Sequence, residues 1–484
     1  MRALFITGFF LLFGCTVTAP NPPILDFPET WTEAVDVNHD VSGNGLGSSE
    51  VSRWWDKCND PLLKSLIDEA VEGGPDLQIA SFRVQEAEFL WEATKAGFGP
   101  SLDFSRSARR EDQSNQTFDF GSEDIPGFPS DQIFGVRTMS RHDIRGRWEA
   151  DLIGRNDLRE MVSTARVEDA QASYDDAVLL LSTRICDTLA DLRESVRQLN
   201  ITESSIRRNE RSLELVQTRF EVGIGNDLEL AQARRTLAEA KAQFPQAQIA
   251  PRAACDVLAA LLGKHPGTML HLITDGVTVP PAPQGGLTIQ PKRLLEQQPS
   301  LRRLAAEMKQ AAANAGLADA ATKPTFALEA ALGTESDGAG ISFSRAAALW
   351  SVALSGATPL FDGGRRKLEA RAADAAFNSS TERYRQGVLN VLAEVERAAQ
   401  QLTATQDTLL ELNTAVMHAK IVRERSEVRY TEGISSLDSV LDAEQALDPL
   451  ERQLASTRAN AWRQLANLLR ATGGSAEFVF FETE

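Results

Sequence analysis

The chain has 484 residues, of which 42% are hydrophobic, 24% charged and only 7% aromatic. Fifty Lys and Arg stand against 68 Asp and Glu, a formal net charge of −18, which argues against the basic face a nucleic-acid binder needs to neutralise phosphates. No apolar run reaches the roughly 18 residues of a membrane-spanning helix, and regularly recurring apolar positions exclude a disordered chain.

The chain opens MRALFITGFFLLFGC. Arg2 supplies a positive start, and Ala3 to Phe13 is an apolar stretch too short to anchor a helix across a bilayer, so residues 1–14 read as a secretory signal peptide. Leu12-Phe13-Gly14-Cys15 resembles a bacterial lipobox, in which cleavage precedes the cysteine and its thiol is joined to diacylglycerol. Cys15 is therefore the predicted lipidation site. Thr16 beside it resembles a lipoprotein sorted to the outer membrane, and residues 15–60 form the lipid anchor and an extended N-terminal segment. Cys58, Cys186 and Cys255 remain, an odd number without C-x-x-C spacing, and are expected as small buried hydrophobes rather than a disulfide framework or zinc site.

The sequence repeats itself. Pro75 and Pro299 open helical stretches, and 25 residues after each a further proline, Pro100 or Pro324, opens an alternating stretch. The words DLIGR (151–155) and FDGGR (361–365) are each followed, 68 residues after their arginine, by a glycine in RFEVGIG or RYTEGIS. The repeats occupy residues 61–279 and 293–472, joined by a proline- and glycine-rich linker at 280–292 and closed by a tail at 473–484. Each reads as helix, two strands, a very long helix, a turn and a helix. After Arg155, residues Val167, Ala170, Tyr174, Ala177, Leu181, Ile185, Leu189, Leu192, Val196 and Leu199 step by three or four, as a coiled-coil seam does. The counterpart runs through Val388, Leu392, Val395, Ala399, Leu402, Leu409, Leu412 and Val416, with Gln406 at a skipped position. A helix of 68 residues is roughly 100 Å long and needs partner helices along its length.

The strands alternate instead. Ile144, Gly146, Trp148 and Ala150 lie opposite Asp143, Arg145, Arg147 and Glu149; Phe326, Leu328, Ala330 and Leu332 and then Trp350, Val352 and Leu354 repeat the pattern, as do Leu102 and Phe104. One face is apolar and the other polar: in a water-soluble sandwich the charged face would meet solvent, and in a membrane barrel it would line the lumen. Loops are expected near 111–135 and at Gly333–Phe343. Four strands cannot close a barrel, and lipid does not tolerate an open edge, so strands that enter a bilayer must be shared among chains; three chains supply twelve.

WWDKCNDPLLKSLIDEA (54–70), WEADLIGR (148–155), ALLGKHPG (260–267), TPLFDGGRR (358–366) and above all RYTEGISSLDSVLDAEQAL (429–447) resemble the outer membrane efflux protein family, TolC-like, and in particular its lipidated members that serve RND-type pumps. The resemblance implies an α+β membrane channel: a homotrimeric twelve-stranded β-barrel, four strands per chain, continued by a long α-helical coiled-coil barrel in the periplasm. It implies an exit channel in the outer membrane, lipid-anchored, that works with a periplasmic adaptor (membrane fusion) protein and an inner-membrane RND pump and passes drugs or other small solutes without chemistry. The outlet of a type I protein secretion system is the alternative within the family, and a non-channel structural lipoprotein the alternative outside it.

In this family the turns between long helices carry the gate. Here they are Gly223 to Glu229 and Gly433 to Asp442. Gly223, Gly225, Gly433 and Ser435 mark the hairpin tips for docking of adaptor or pump. Asp442 matches an acidic constriction position nine residues after Gly433; Ser439 stands where relatives carry a second acid, with Asp438 beside it. Asp227 and Asp438 also read as helix caps. A basic residue that ties the gate in some relatives is replaced by Ser435, leaving Tyr430 and Glu229 as matched partners. Trp54 and Trp55 begin a segment that wraps the helical barrel. The five histidines are scattered, and no H-E-x-x-H, phosphate loop or nucleophile elbow occurs, so no enzyme, metal or cofactor is expected.

Overall fold

The computed structural model describes residues 17–21, 53–113, 135–274, 280, 291–338 and 344–474. The leader, Cys15, most of the 280–292 linker, the centre of the 111–135 loop and nearly all of the 473–484 tail lie outside the described residues.

A 3-10 turn at Trp54–Lys57 leads to α1 (Pro61–Gly73), α2 (Pro75–Ala96), β1 (Ser101–Gln113), β2 (Gly135–Ala150), α3 (Arg155–Glu221), α4 (Asp227–Ala247) and α5 (Ile249–Leu261). The short α6 (His271–Thr274) and α7 (Pro291–Gln297) precede α8 (Pro299–Ala320), β3 (Thr325–Asp337), β4 (Ala348–Ala357), α9 (Arg365–Thr431) and α10 (Leu437–Ala471). Helix, two strands, long helix, helix thus occurs twice. α2 and α8 each have 22 residues, α3 and α9 each 67. Pro75 and Pro299 take the first helical position, where the missing N–H has no intrahelical partner to lose. Pro100 directly precedes β1 and Pro324 directly precedes β3.

The chain divides into two compact units. One holds Glu86–Val167 and Ala306–Glu382 with residues 17–21, and contains the sheet. Its strands run β1-β2-β3-β4, all antiparallel, so among the described residues β1 and β4 are unpaired edges. The register sets Leu102 beside Gly146, Ala330 and Val352, and Phe104 beside Ile144, Leu332 and Trp350; Trp148, Leu328 and Leu354 form a third row on the same face. This apolar face is bare, with Leu102 76% and Trp350 77% exposed. The other face is polar and paired. Asp143 accepts from Ser105 Oγ at 2.7 Å and from Arg145, Arg141 lies 3.7 Å from Glu335, and Arg147 lies 3.8 Å from Glu329. Gly333 is not the start of a loop: β3 continues to Asp337. A Cβ at Gly333 would stand 2.2 Å from the His142 carbonyl and 2.7 Å from the Asp143 Cα, so the glycine permits close strand approach within the ladder.

The repeated words at the strand-to-helix junctions are caps. Asp151 accepts the N–H groups of Gly154 and Arg155 at 3.0 Å each and of Asn156 at 2.7 Å; Asp362 accepts those of Gly364 at 3.0 Å and Arg366 at 3.3 Å. Gly154, Gly363 and Gly364 have φ of 85°, 68° and 84°, which a Cβ would oppose.

The other unit holds 53–85, Glu168–Ala305 and 383–474. Its main core gathers Trp54, Trp55, Leu63 and Ile67 with the middle of α3 and the C-terminal half of α10. The expected α3 seam is buried at Leu181, Ile185, Leu189, Leu192 and Val196. A second face, with Leu179 and Cys186, is buried as well, because α3 meets the N-terminal segment on one side and α10 on another. Trp54 Nε1 donates to Ser182 Oγ at 3.0 Å, while Arg463 of α10 holds Asp191 at 2.6 Å and Glu194 at 2.5 Å. In α9 the skipped position is filled by buried Thr405, not Gln406: its hydroxyl donates to the Gln401 carbonyl at 2.7 Å, which lets a small polar side chain continue the seam. Cys58, Cys186 and Cys255 are buried free thiols. Burial pushes the Cys58 thiol to about 12 and that of Cys255 to about 11, so none is a thiolate at neutral pH.

Candidate functional site: the paired helical turns

Both turns that end the long helices are built on one scheme. In the first, the N–H of Gly223 donates to the Phe220 carbonyl at 3.0 Å and that of Ile224 to the Arg219 carbonyl at 3.0 Å. In the second, Gly433 donates to Tyr430 at 3.0 Å and Ile434 to Arg429 at 2.8 Å. This is a Schellman closure, which requires a left-handed residue after the helix. Gly223 and Gly433 supply it with φ of 83° and 75°. Gly225 is needed for another reason: a Cβ there would lie 2.9 Å from the Phe220 nitrogen.

The helices that follow are capped differently. Asn226 Oδ1 accepts the Glu229 N–H at 2.8 Å and caps α4. Ser436 at the start of α10 makes no side-chain cap bond. The expected capping aspartates, Asp227 and Asp438, instead stand in the first turn of each helix, where their charge favours the positive end of the helix dipole.

The two turns meet. Val216, Leu230 and Ala233 from α3 and α4 pack with Tyr430, Leu437, Val440 and Leu441 from α9 and α10 in a small separate core. Arg219 lies over the Tyr430 ring, 4.9 Å from its centroid, and donates to the Tyr430 carbonyl at 3.3 Å. Gln232 of α4 reaches Asp438 at 3.5 Å. The Tyr430 hydroxyl is buried without an ordinary hydrogen bond; burial, and then the neighbouring Glu229 carboxylate, push its pKa above the usual tyrosine value. Tyr430 and Glu229 are therefore brought together. Ser435 is half-buried, with its Oγ unpartnered, and Arg219 supplies the tie between turns that Ser435 does not. Arg219 was not singled out in the sequence, although the shared Arg-aromatic pairs Arg219-Phe220 and Arg429-Tyr430 carried the signal.

Four other acids of α10 sort by environment. Asp448 is paired with Arg208, and Glu451 lies 3.2 Å from Lys420. Burial pushes the Glu444 carboxyl up while Arg208 and Arg423 draw it down. Asp442 is exposed, makes no ion pair among the described residues, and lies one turn beyond Asp438 on the same helix face. Asp227 is likewise exposed and touches neither Asp438 nor Asp442 by any hydrogen bond. Ile224 and Ile434 at the tips are exposed. Among the described residues no cluster of His, Cys, Asp or Glu could hold a metal ion, and no helix is long and apolar enough to cross a membrane.

A bare apolar sheet face in a chain of duplicated long helices, closed in twin turns, is the fold of an α+β membrane channel. The chain belongs to the outer membrane efflux protein family, which it matches over residues 66–264 and 290–474. Among its relatives it is 25% identical over 479 residues to nodulation protein T of Rhizobium leguminosarum bv. trifolii, covering 97% of each chain. It is 24% identical over 494 residues to the probable outer membrane lipoprotein SilC of Salmonella typhimurium, covering 98% of each. Among solved structures, the outer-membrane channel OprN superposes with a TM-score of 0.80 at 24% identity, over 94% of this chain and 99% of that one.

Proposed function

We propose that three copies of this chain close a twelve-stranded barrel in the outer membrane and conduct small solutes outward through a helical tunnel in the periplasm. The observation that carries this reading is the open four-stranded sheet, which exposes rows of Leu, Phe, Ile, Val and Trp and leaves both edges unpaired. In water such a face aggregates; in lipid it is stable once the edges are paired chain to chain. The polar, ion-paired face then lines the lumen. Lipidation at Cys15 adds an anchor, and likeness to a probable lipoprotein supports it.

The channel makes no bond. It lowers the barrier to crossing an apolar layer by lining a watery path, and the export work belongs to an inner-membrane RND pump joined through a periplasmic adaptor. The paired turns are the gate and docking end: Asp442, exposed and unpaired, faces the constriction, Asp438 and Asp227 flank it, and Arg219, Tyr430 and Glu229 hold the two hairpins together. Gly223, Gly225, Gly433 and Ser435 shape the tips that meet the adaptor. The test is oligomer and pore together. Unboiled samples should run as heat-labile trimers, and purified protein should open steps of conductance in planar bilayers. A monodisperse, detergent-independent monomer without conductance would refute the reading. Deletion of the gene should raise susceptibility to exported compounds, and loss of protein secretion instead would favour the type I outlet.

A further inference from the structure

We infer that Arg106 and Arg110, on the outward face of β1, form a binding site for the phosphates of a glycolipid in the outer leaflet; this rests on the barrel placement proposed above. Leu102, Phe104, Arg106, Ala108 and Arg110 share one face by strand alternation, so the two arginines continue the lipid-facing row. In register, Arg106 stands beside His142, two residues beyond the Phe104–Ile144 pair, or about 7 Å past the apolar band. The helices join the sheet at the Ser101, Ala150, Thr325 and Ala357 ends, so Arg106 and Arg110 lie toward the opposite end, where the inter-strand loops are. With helices in the periplasm, that is the level of the outer-leaflet headgroups.

The arginines of the sheet differ by face. On the polar face Arg109 pairs with Glu111 at 2.8 Å, Arg141 with Glu335 at 3.7 Å, Arg147 with Glu329 at 3.8 Å, and Arg145 with Asp143. Arg106 and Arg110 are exposed and make no ion pair among the described residues. His142, in register with Arg106, is buried with both ring nitrogens unpartnered, a further unmatched polar group in that row. Cationic side chains just past an apolar band extend their stems along it and place their heads among headgroups. Guanidinium suits phosphate because its fork donates two parallel hydrogen bonds. Four residues of strand separate the two by about 13 Å, too far to share one phosphate and suited to two on one headgroup or on neighbours.

The experiment titrates the purified, lipid-stripped protein in detergent with bis-phosphorylated lipid A, its dephosphorylated form, and inorganic phosphate, reading bound lipid by native mass spectrometry. The unaltered protein should prefer the bis-phosphorylated form. Arg106→Ala/Arg110→Ala should lose at least tenfold in affinity for it, Arg106→Lys/Arg110→Lys should keep part of it, and pore conductance should persist in both. Equal affinity in the alanine variant, or equal binding of the dephosphorylated lipid, overturns the site. Displacement by millimolar inorganic phosphate shows an anion site without lipid preference and overturns it too. Unchanged lipid binding with greater aggregation of the alanine variant would leave the arginines as edge-strand guards only. If the unaltered protein forms no pores, the channel reading fails and takes this one with it; lost lipid selectivity beside intact pores refutes only this one.

Discussion

Asp60 performs two tasks that separate substitutions can divide. Its Oδ1 accepts the Leu63 N–H at 3.1 Å and caps α1, while its two oxygens take Arg193 of α3 at 2.6 and 3.0 Å. Only 2% of the Asp60 side chain and 5% of that of Arg193 reach solvent. Removing one member of such a pair strands a buried charge and costs about 3–5 kcal/mol. Losing the cap adds about 1 kcal/mol. Arg193→Met should therefore lower the local opening free energy of α1 by about 3–5 kcal/mol, or roughly two to three and a half orders of magnitude in amide protection. Asp60→Ala should cost about 1 kcal/mol more, and the double substitution should cost less than the sum of the singles by a coupling of about 2–3 kcal/mol. Asp60→Asn preserves the cap, so it isolates the ionic part. Native-state hydrogen exchange on peptides spanning 53–73 reads α1 directly. Additive single effects, or unchanged protection in Arg193→Met, would refute the claim that this pair fastens the N-terminal segment to α3.

Gly225→Ala should disrupt the first turn more than Gly223→Asn, because the former meets backbone at 2.9 Å while the latter meets nothing within 4 Å and costs only left-handed strain of about 1 kcal/mol; exchange rates in 219–230 compare them. Arg219→Ala should loosen α9–α10 by about 1 kcal/mol through loss of its stacking on Tyr430, and Tyr430→Phe, which keeps the ring under Arg219 and removes only the hydroxyl beside the Glu229 carboxylate, should cost less; exchange in 428–441 decides. Asp187 is raised to about 6 by burial and then by Asp191, so the folded state retains a proton that the unfolded state loses above about pH 4. The resulting destabilisation grows as pH rises to about 6 and is complete at neutrality. Two pH units set a ceiling near 3 kcal/mol, and partial solvent access reduces this to about 1 kcal/mol. Asp187→Asn should thus stabilise the protein at pH 7.5, with the gain vanishing below about pH 4 in denaturant titrations. Asp442→Ala should lower cation over anion selectivity in single-channel recordings, and an unchanged ratio would remove Asp442 from the constriction.

Features written in local chemistry were legible in the sequence. Proline positions marked the starts of α2, α8, β1 and β3, and the two glycine words marked both turns to the residue, because each depends on φ or a missing N–H at one position. Alternation separated the faces of all four strands. Features made by distant partners were not legible. The second buried face of α3 exists because two elements pack on it, and a single-stripe periodicity cannot anticipate that. The seam gap read at Gln406 and the loop read from Gly333 both looked like breaks, yet buried Thr405 fills the first and Gly333 fits inside a strand. The Asp60–Arg193 pair joins residues 133 positions apart and left no local trace.

The two repeats share a frame but not a means of securing it. The first turn is self-sufficient: Gly223 closes the helix and Asn226 caps the next. The second keeps the glycine closure but has no side-chain cap, and its Ser435 hydroxyl is unpartnered. What it lacks locally comes from the first repeat, through Arg219 on Tyr430, Gln232 on Asp438, and a core drawn from both hairpins. Each of these contacts is weak alone, a cation–π pair or a long hydrogen bond of about 1 kcal/mol. The second hairpin, which carries the exposed Asp442, is therefore joined to the first repeat by side-chain contacts where the first turn uses its own cap.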